Sequence, residues 1–277
     1  MNRSLTLGYS PCPNDTFIFY ALTHGRIPLS GVSVIPRLED VETLNRLALE
    51  AALDLTKISY HALGHLREKY VLLRSGGALG RGCGPLVVAP QATHMDALRH
   101  KKIAIPGELT TANLLLQLYG TGYEQTVILP FHEIMGAVTE GHVDAGVIIH
   151  ESRFTYAEHG LHQILDLGQW WEKSSGLPIP LGGILARRDL GTPLIHELET
   201  AIRQSVDDAF AHPELSRDYI RSHAQELSDE VTAQHISLYV NPFSRDLGEE
   251  GELAVRTLLS RAEERHIIPP CKLSLFV

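Results

Sequence analysis

The segment Gly146-Val147-Ile148-Ile149-His150-Glu151 ends an apolar run on an imidazole followed directly by a carboxylate. An unperturbed imidazole titrates close to neutral pH, so a histidine placed there suits proton abstraction as a general base. Residue type alone says little in a chain with fifteen histidines. Position says more, because in open α/β sheets ligands bind at the carboxyl ends of strands. The competing reading is a strand-end histidine that donates to a backbone carbonyl and does nothing else. Glu151, Arg153 and Tyr156 follow at once. Each can orient the imidazole or pair with a substrate, and each can equally be a solvated surface group.

Three further clusters carry polar groups at strand-to-helix junctions. In Ser10-Pro11-Cys12-Pro13-Asn14-Asp15-Thr16 two prolines stiffen the turn, and Asn14 or Asp15 can cap the helix that follows. A cap with no ligand is the rival reading. Cys12 has no base beside it in the sequence, so a packed or idle thiol is expected. In Lys57-Ile58-Ser59-Tyr60-His61, Ser59 is a natural N-cap whose hydroxyl and following N–H groups can hold a ligand carboxylate. Lys57 can supply a positive charge or stay in solvent. In Ile105-Pro106-Gly107-Glu108-Leu109-Thr110-Thr111-Ala112-Asn113, Thr110 or Thr111 opens a helix whose free N–H groups make an anion site. Every helix has such a terminus; two facing each other beside a strand-end histidine say more than one.

These clusters need a scaffold that brings them together, and the chain alternates strand and helix almost throughout. Strands are expected at 5–9, 32–37, 54–58, 70–74 and 86–89, with helices at 16–24, 41–52 and 60–66. A second series has strands at 102–105, 125–129, 145–149 and 163–167, with helices at 110–118, 131–140 and 154–159. One more strand at 183–186 precedes helices at 193–211, 214–223, 229–239 and 251–265. Such alternation implies parallel or mixed sheets covered by helices. The runs Leu49 to Ser59 and Thr139 to His150 share an order of helix, aspartate, short strand and polar residue. That echo suggests two α/β lobes of similar plan with the ligand cleft between them, and chance likeness between α/β units is its rival. Gly76 to Gly84 is glycine-rich but precedes a strand, so it reads as a flexible connection. Trp170-Trp171 can cover the cleft or pack the crossover.

Composition narrows the function classes. A chain of 277 residues, 44% hydrophobic and 21% charged, can bury a substantial core. A net charge of -9 gives no basic footprint for nucleic acid, yet leaves room for an anionic small molecule at a helix terminus. Three scattered cysteines make neither a disulfide framework nor a thiolate metal site. No export signal, long apolar span, phosphate loop, dinucleotide fingerprint or paired zinc-hydrolase histidines is visible. A cytoplasmic protein acting on a small carboxylate, without membrane or nucleic-acid partners, is expected; the sequence specifies no oligomeric state.

Gly8 to Phe17, Lys57 to His61, Thr110 to Asn113 and Ile149 to Tyr156 resemble the corresponding blocks of the menaquinone-biosynthesis family of the futalosine route. Within it the chain resembles the naphthoate-forming branch more than the chorismate-dehydrating one. The resemblance implies a two-lobed fold like the type II periplasmic binding proteins, mixed sheets flanked by helices, with 1–88 plus 184–277 as the larger lobe and 89–183 as the smaller. It implies a lyase that cleaves cyclic dehypoxanthine futalosine to 1,4-dihydroxy-6-naphthoate and a dihydroxyacetone-type fragment, with no metal and no organic cofactor. His150 would be the general base. Lys57, Ile58 and Ser59 on one side and Thr111 and Ala112 on the other would contact substrate, with Asn14, Arg153 and Tyr156 as further candidates. Chorismate dehydration and non-catalytic binding of a small carboxylate are the alternatives.

Overall fold

The computed structural model describes residues 3–224 and 228–277. The chain begins with β1 (Arg3–Tyr9), α1 (Pro13–Thr23), β2 (Val32–Leu38), α2 (Val41–Leu49), β3 (Leu55–Ser59), α3 (Tyr60–Leu66), β4 (Tyr70–Leu72) and β5 (Ala78–Gly80). It continues through β6 (Leu86–Ala89), β7 (Ile103–Ile105), α4 (Thr111–Tyr119), β8 (Thr126–Ile128), α5 (Ile134–Thr139), β9 (Ala145–Ile148), α6 (Ser152–Thr155), β10 (His162–Asp166) and α7 (Leu167–Ser175). After β11 (Ile179–Arg187) come helices α8 (Thr192–Ala211), α9 (Arg217–His223), α10 (Asp229–Tyr239), α11 (Pro242–Arg245) and α12 (Gly248–Glu264), and then a non-helical tail. Among the described residues no helix is long and apolar enough to cross a membrane.

The strands form two mixed sheets. One has the order β2-β1-β3-β11-β4 with β5 also on β11; the other has the order β10-β6-β9-β7-β8. Pairing is parallel within β2-β1-β3 and within β9-β7-β8, and antiparallel where β11 and β6 join. The chain changes sheet between Gly80 and Leu86 and returns between Asp166 and Ile179. The crossing is tight: a Cβ on Gly84 would lie 2.3 Å from the Gly168 Cα, so only glycine lets this link lie against the start of α7.

β3 is buried along its whole length, as a central strand covered on both faces must be. α12 repeats buried residues at helical spacing, Ala254, Val255, Leu258, Leu259 and Ala262, and this stripe packs on β11, α3 and α4. The largest apolar cluster therefore runs through both sheets, from Ile58 and Tyr60 to Val87, Leu114 and Trp171.

The echo between the two series has a common physical role. Asp54, ahead of β3, accepts from the backbone N–H of Thr6 at 2.9 Å and from its hydroxyl at 3.0 Å. Asp144, ahead of β9, accepts from the Lys102 N–H at 2.8 Å. Each aspartate fixes the neighbouring parallel strand, so the polar residues that end the two strand runs stand at equivalent sheet edges.

Several expectations change. Gly76 to Gly84 is not a loose connection: β5 lies within it, buried and paired with β11. The stretch 131–140 splits into a short tight turn and α5, and the helix placed at 154–159 begins earlier and is one turn long. α7 was not expected; Asp166 caps it by accepting from Gln169 N–H at 2.9 Å. Trp171 is fully buried and donates to Pro178 O at 3.0 Å, while Trp170 meets Tyr119 edge-on. Both tryptophans pack the crossover.

Candidate active site

The carboxyl ends of β1, β3 and β9 converge with the N-terminus of α4 on one cavity of about 90 Å³. His150, Lys57, Ile58, Ser59, Thr111, Ala112 and Asn14 all line it. A larger cavity of about 440 Å³ adjoins it, walled by Asp40, Thr43, Arg46, Pro130 and His132. Ser10, Val41, Ile149 and His150 border both. His150 thus stands where two chambers meet.

His150 lies two residues beyond β9, and its backbone is left-handed, with φ at 56°. For a residue with a Cβ that conformation costs about 1–2 kcal/mol and persists only where surrounding packing fixes it. The Phe131 ring packs edge-on to the imidazole at 4.9 Å, and Nδ1 lies 3.6 Å from Cys12 Sγ. Burial lowers the His150 pKa from its ordinary value, against the opposing pull of the Glu151 and Asp15 carboxylates; the Lys57 charge adds to the lowering. A neutral imidazole at neutral pH is the form that accepts a proton.

Lys57 is not in solvent. Its Nζ donates to Asp15 Oδ1 at 2.6 Å, and the two side chains are only 7% and 2% exposed. Asp15 also accepts from Ser10 N–H at 3.2 Å, Ser10 Oγ at 2.8 Å and Asn14 Nδ2 at 2.8 Å. The N-cap of α1 is Cys12, with Pro13 in the first turn, rather than Asn14 or Asp15; those two turn inward instead. With its Nδ2 on Asp15, Asn14 presents Oδ1 to His235 Nε2 at 2.8 Å. A carbonyl oxygen can only accept, so His235 carries its proton on Nε2.

Ser59 is the N-cap of α3 but makes no side-chain cap; its N–H donates to Asn45 Oδ1 at 2.9 Å. The Tyr60 N–H at that terminus donates instead to the Thr111 hydroxyl at 2.9 Å, and this hydroxyl donates to Leu181 O at 2.6 Å. One threonine so ties the second sheet to the first. Thr110 caps α4, accepting from Asn113 N–H at 3.3 Å, and Thr111 and Ala112, whose N–H groups have no intrahelical carbonyl to bond, line the cavity. N–H groups at a helix terminus are of the kind that suits an oxyanion.

Arg153 and Tyr156 stand apart. The Arg153 guanidinium donates to Gly84 O at 2.6 Å and Asp166 Oδ2 at 2.7 Å, holding both crossings, and Tyr156 packs against the Leu86, Val88 and Ile134 cluster. Neither lines either cavity.

Sequence reasoning missed Asp15 as the Lys57 partner, the approach of Cys12 to His150, and His235 on α10. The first two join residues far apart in the chain, and only the closing of strand ends brings them together. His235 sits in a C-terminal helix without a motif.

A family model described as menaquinone biosynthesis matches residues 5–264. The chain is 58% identical, over 99% of its length and 100% of the relative's, to a 1,4-dihydroxy-6-naphthoate synthase of Thermus thermophilus. It is 48% identical, over 96% of its length and 95% of the relative's, to one of Streptomyces coelicolor. Among solved structures, a protein of Archaeoglobus fulgidus superposes with a TM-score of 0.90 at 38% identity, covering 96% of this chain and 98% of that one. The periplasmic aliphatic sulphonate binding protein of Escherichia coli does so with a TM-score of 0.67 at 14% identity, covering 98% and 90%. That second likeness shows the fold: two mixed sheets arranged as in the periplasmic binding proteins.

Proposed function

This chain belongs to the menaquinone biosynthesis family, and from that premise we propose that it is a carbon–carbon lyase converting cyclic dehypoxanthine futalosine to 1,4-dihydroxy-6-naphthoate. The observation that carries the proposal is the position of His150, a neutral imidazole at the junction of two cavities. The inner cavity, with the Thr111 and Ala112 N–H groups and Ser59, takes the aryl carboxylate. Lys57, Ile58 and Asn14 complete its wall, and Arg153 and Tyr156 act on the scaffold rather than on substrate. The two sheets serve as the lobes; the proposed division, 1–88 plus 184–277 and 89–183, falls inside β6 and β11, a few residues beyond the crossings between the sheets.

His150 removes a hydroxyl proton, the alkoxide collapses in a retro-aldol cleavage, and a dihydroxyacetone-type fragment leaves toward the outer cavity. Formation of the aromatic naphthalene ring drives the step forward. A positioned general base contributes roughly 10²–10⁴ in rate, and enclosure of the site excludes water while orienting the substrate.

The test is direct. Purified, chelator-treated protein incubated with cyclic dehypoxanthine futalosine is expected to release 1,4-dihydroxy-6-naphthoate, followed by liquid chromatography. Folded protein that yields none overturns the proposal, and turnover of chorismate in its place assigns the chain to the sister reaction.

A further inference from the structure

We propose that Cys12, His150 and Glu151, with His235 standing beside Glu151, form a binding site for a thiophilic divalent cation such as zinc, solvent completing the ligand set. One ligand atom from each of the first three lies within 4.8 Å of the others. The Cys12 Sγ to His150 Nδ1 separation is 3.6 Å. Tetrahedral zinc, with sulfur at ~2.3 Å and nitrogen at ~2.0–2.1 Å, sets its sulfur and nitrogen ligands about 3.6 Å apart.

Two unpartnered atoms support the same site independently. His235 is 1% exposed, and its Nδ1 has no hydrogen-bond partner. It faces Glu151 Oε2 at 3.8 Å, which is equally unpartnered. Because Asn14 fixes the His235 proton on Nε2, its Nδ1 is a lone pair directed at a carboxylate oxygen. Two acceptors facing one another in a buried place are a cost unless something positive stands with them. A cation bound by Glu151 puts that charge beside both.

Binding forms a metal–sulfur bond and releases the Cys12 thiol proton to solvent; no electrons are transferred. Since the site takes His150 by its lone pair, an occupied site holds the proposed base out of reaction. The cation acts here as an inhibitor of the lyase, not as its cofactor.

The experiment is titration of tag-free, reduced protein with cobalt(II) chloride, read by absorption. Expected is one equivalent bound, with strong tetrahedral d–d bands and a sulfur-to-cobalt charge-transfer band, both displaced by zinc. Cys12→Ser is expected to abolish the charge-transfer band, and Glu151→Gln to weaken affinity at least about 10-fold. A weak octahedral spectrum, or a charge-transfer band that survives in folded Cys12→Ser, overturns the site. Should Cys12→Ser not fold, unchanged affinity in Glu151→Gln and His150→Asn overturns it instead. The readout involves no turnover, so its failure is separate from failure of the lyase reading.

Discussion

Lys57 Nζ meets Asp15 Oδ1 at 2.6 Å, and both side chains are buried in the wall of the cavity that His150 borders. The pair joins the middle of β3 to the first turn of α1, and Asp15 gathers three further hydrogen bonds from Ser10 and Asn14. Removing one member of such a pair leaves an uncompensated charge out of water, a cost of about 3–5 kcal/mol. Lys57→Met is therefore expected to lower stability by that order. The double variant Lys57→Met with Asp15→Asn is expected to recover much of the loss. Urea unfolding of the single and double variants measures both, and a loss below about 1 kcal/mol in Lys57→Met would remove the pair from the account of stability.

His150 combines a strained backbone with the proposed proton acceptor. Asn tolerates the left-handed region better than other non-glycine residues, so His150→Asn keeps the turn while removing the base. Turnover is expected to fall by about 10²–10⁴ with the unfolding midpoint retained. His150→Gly relieves the backbone and is expected to gain stability while losing activity equally. Near-normal turnover in either variant would end the base assignment.

The sequence made the architecture legible where periodicity and punctuation agreed. α3 and α10 fall on the expected residues: a serine precedes each, and Asn241-Pro242 follows α10. It missed α7, since Gln169 to Ser175 reads as polar when only Leu167, Gly168 and Trp171 are buried. It took Gly76 to Gly84 for a loose link because glycine weakens local strand preference, whereas β11 imposes pairing from a distance. At the site, residues named by their place at strand ends came together on one cavity. Arg153 did not join them, because sequence neighbours one helical turn beyond His150 point to the crossings instead.

Thr111 is the clearest bond between the sheets near the cavity. Its hydroxyl accepts from Tyr60 N–H and donates to Leu181 O. Thr111→Val keeps shape and removes both bonds, leaving a buried N–H without a partner, at about 1–3 kcal/mol. A raised KM with a smaller change in kcat is expected, and Thr111→Ser is expected to restore KM. A valine variant with unchanged KM and stability would show that the tie does not matter to the site.

His61 makes the fold itself sensitive to acid. Burial lowers its pKa to about 4, with the neighbouring His65 adding to the effect. The unfolded chain takes up that proton near the ordinary value, about 6.5, so it binds more protons than the native state between the two values. Stability is then full above about pH 6.5 and falls as the pH drops toward 4, by on the order of 3 kcal/mol. His61→Gln is expected to flatten this dependence in urea titrations across that range; an unchanged slope would place the acid sensitivity elsewhere.

The same sign governs catalysis at His150, with a different readout. Only the unprotonated imidazole accepts a proton, so activity is present above its pKa and lost as the pH falls through it. Burial places that pKa below the ordinary histidine value, although Glu151 and Asp15 pull the other way. The acid limb of kcat/KM is accordingly expected below about pH 6.5, the unperturbed value. Glu151→Gln removes the nearest carboxylate that favours the charged ring and is expected to move the limb to still lower pH. Folding must be followed in parallel, since His61 destabilises the chain over the same range. A limb at or above the unperturbed value, in protein shown to be folded, would mean that a different group carries the proton.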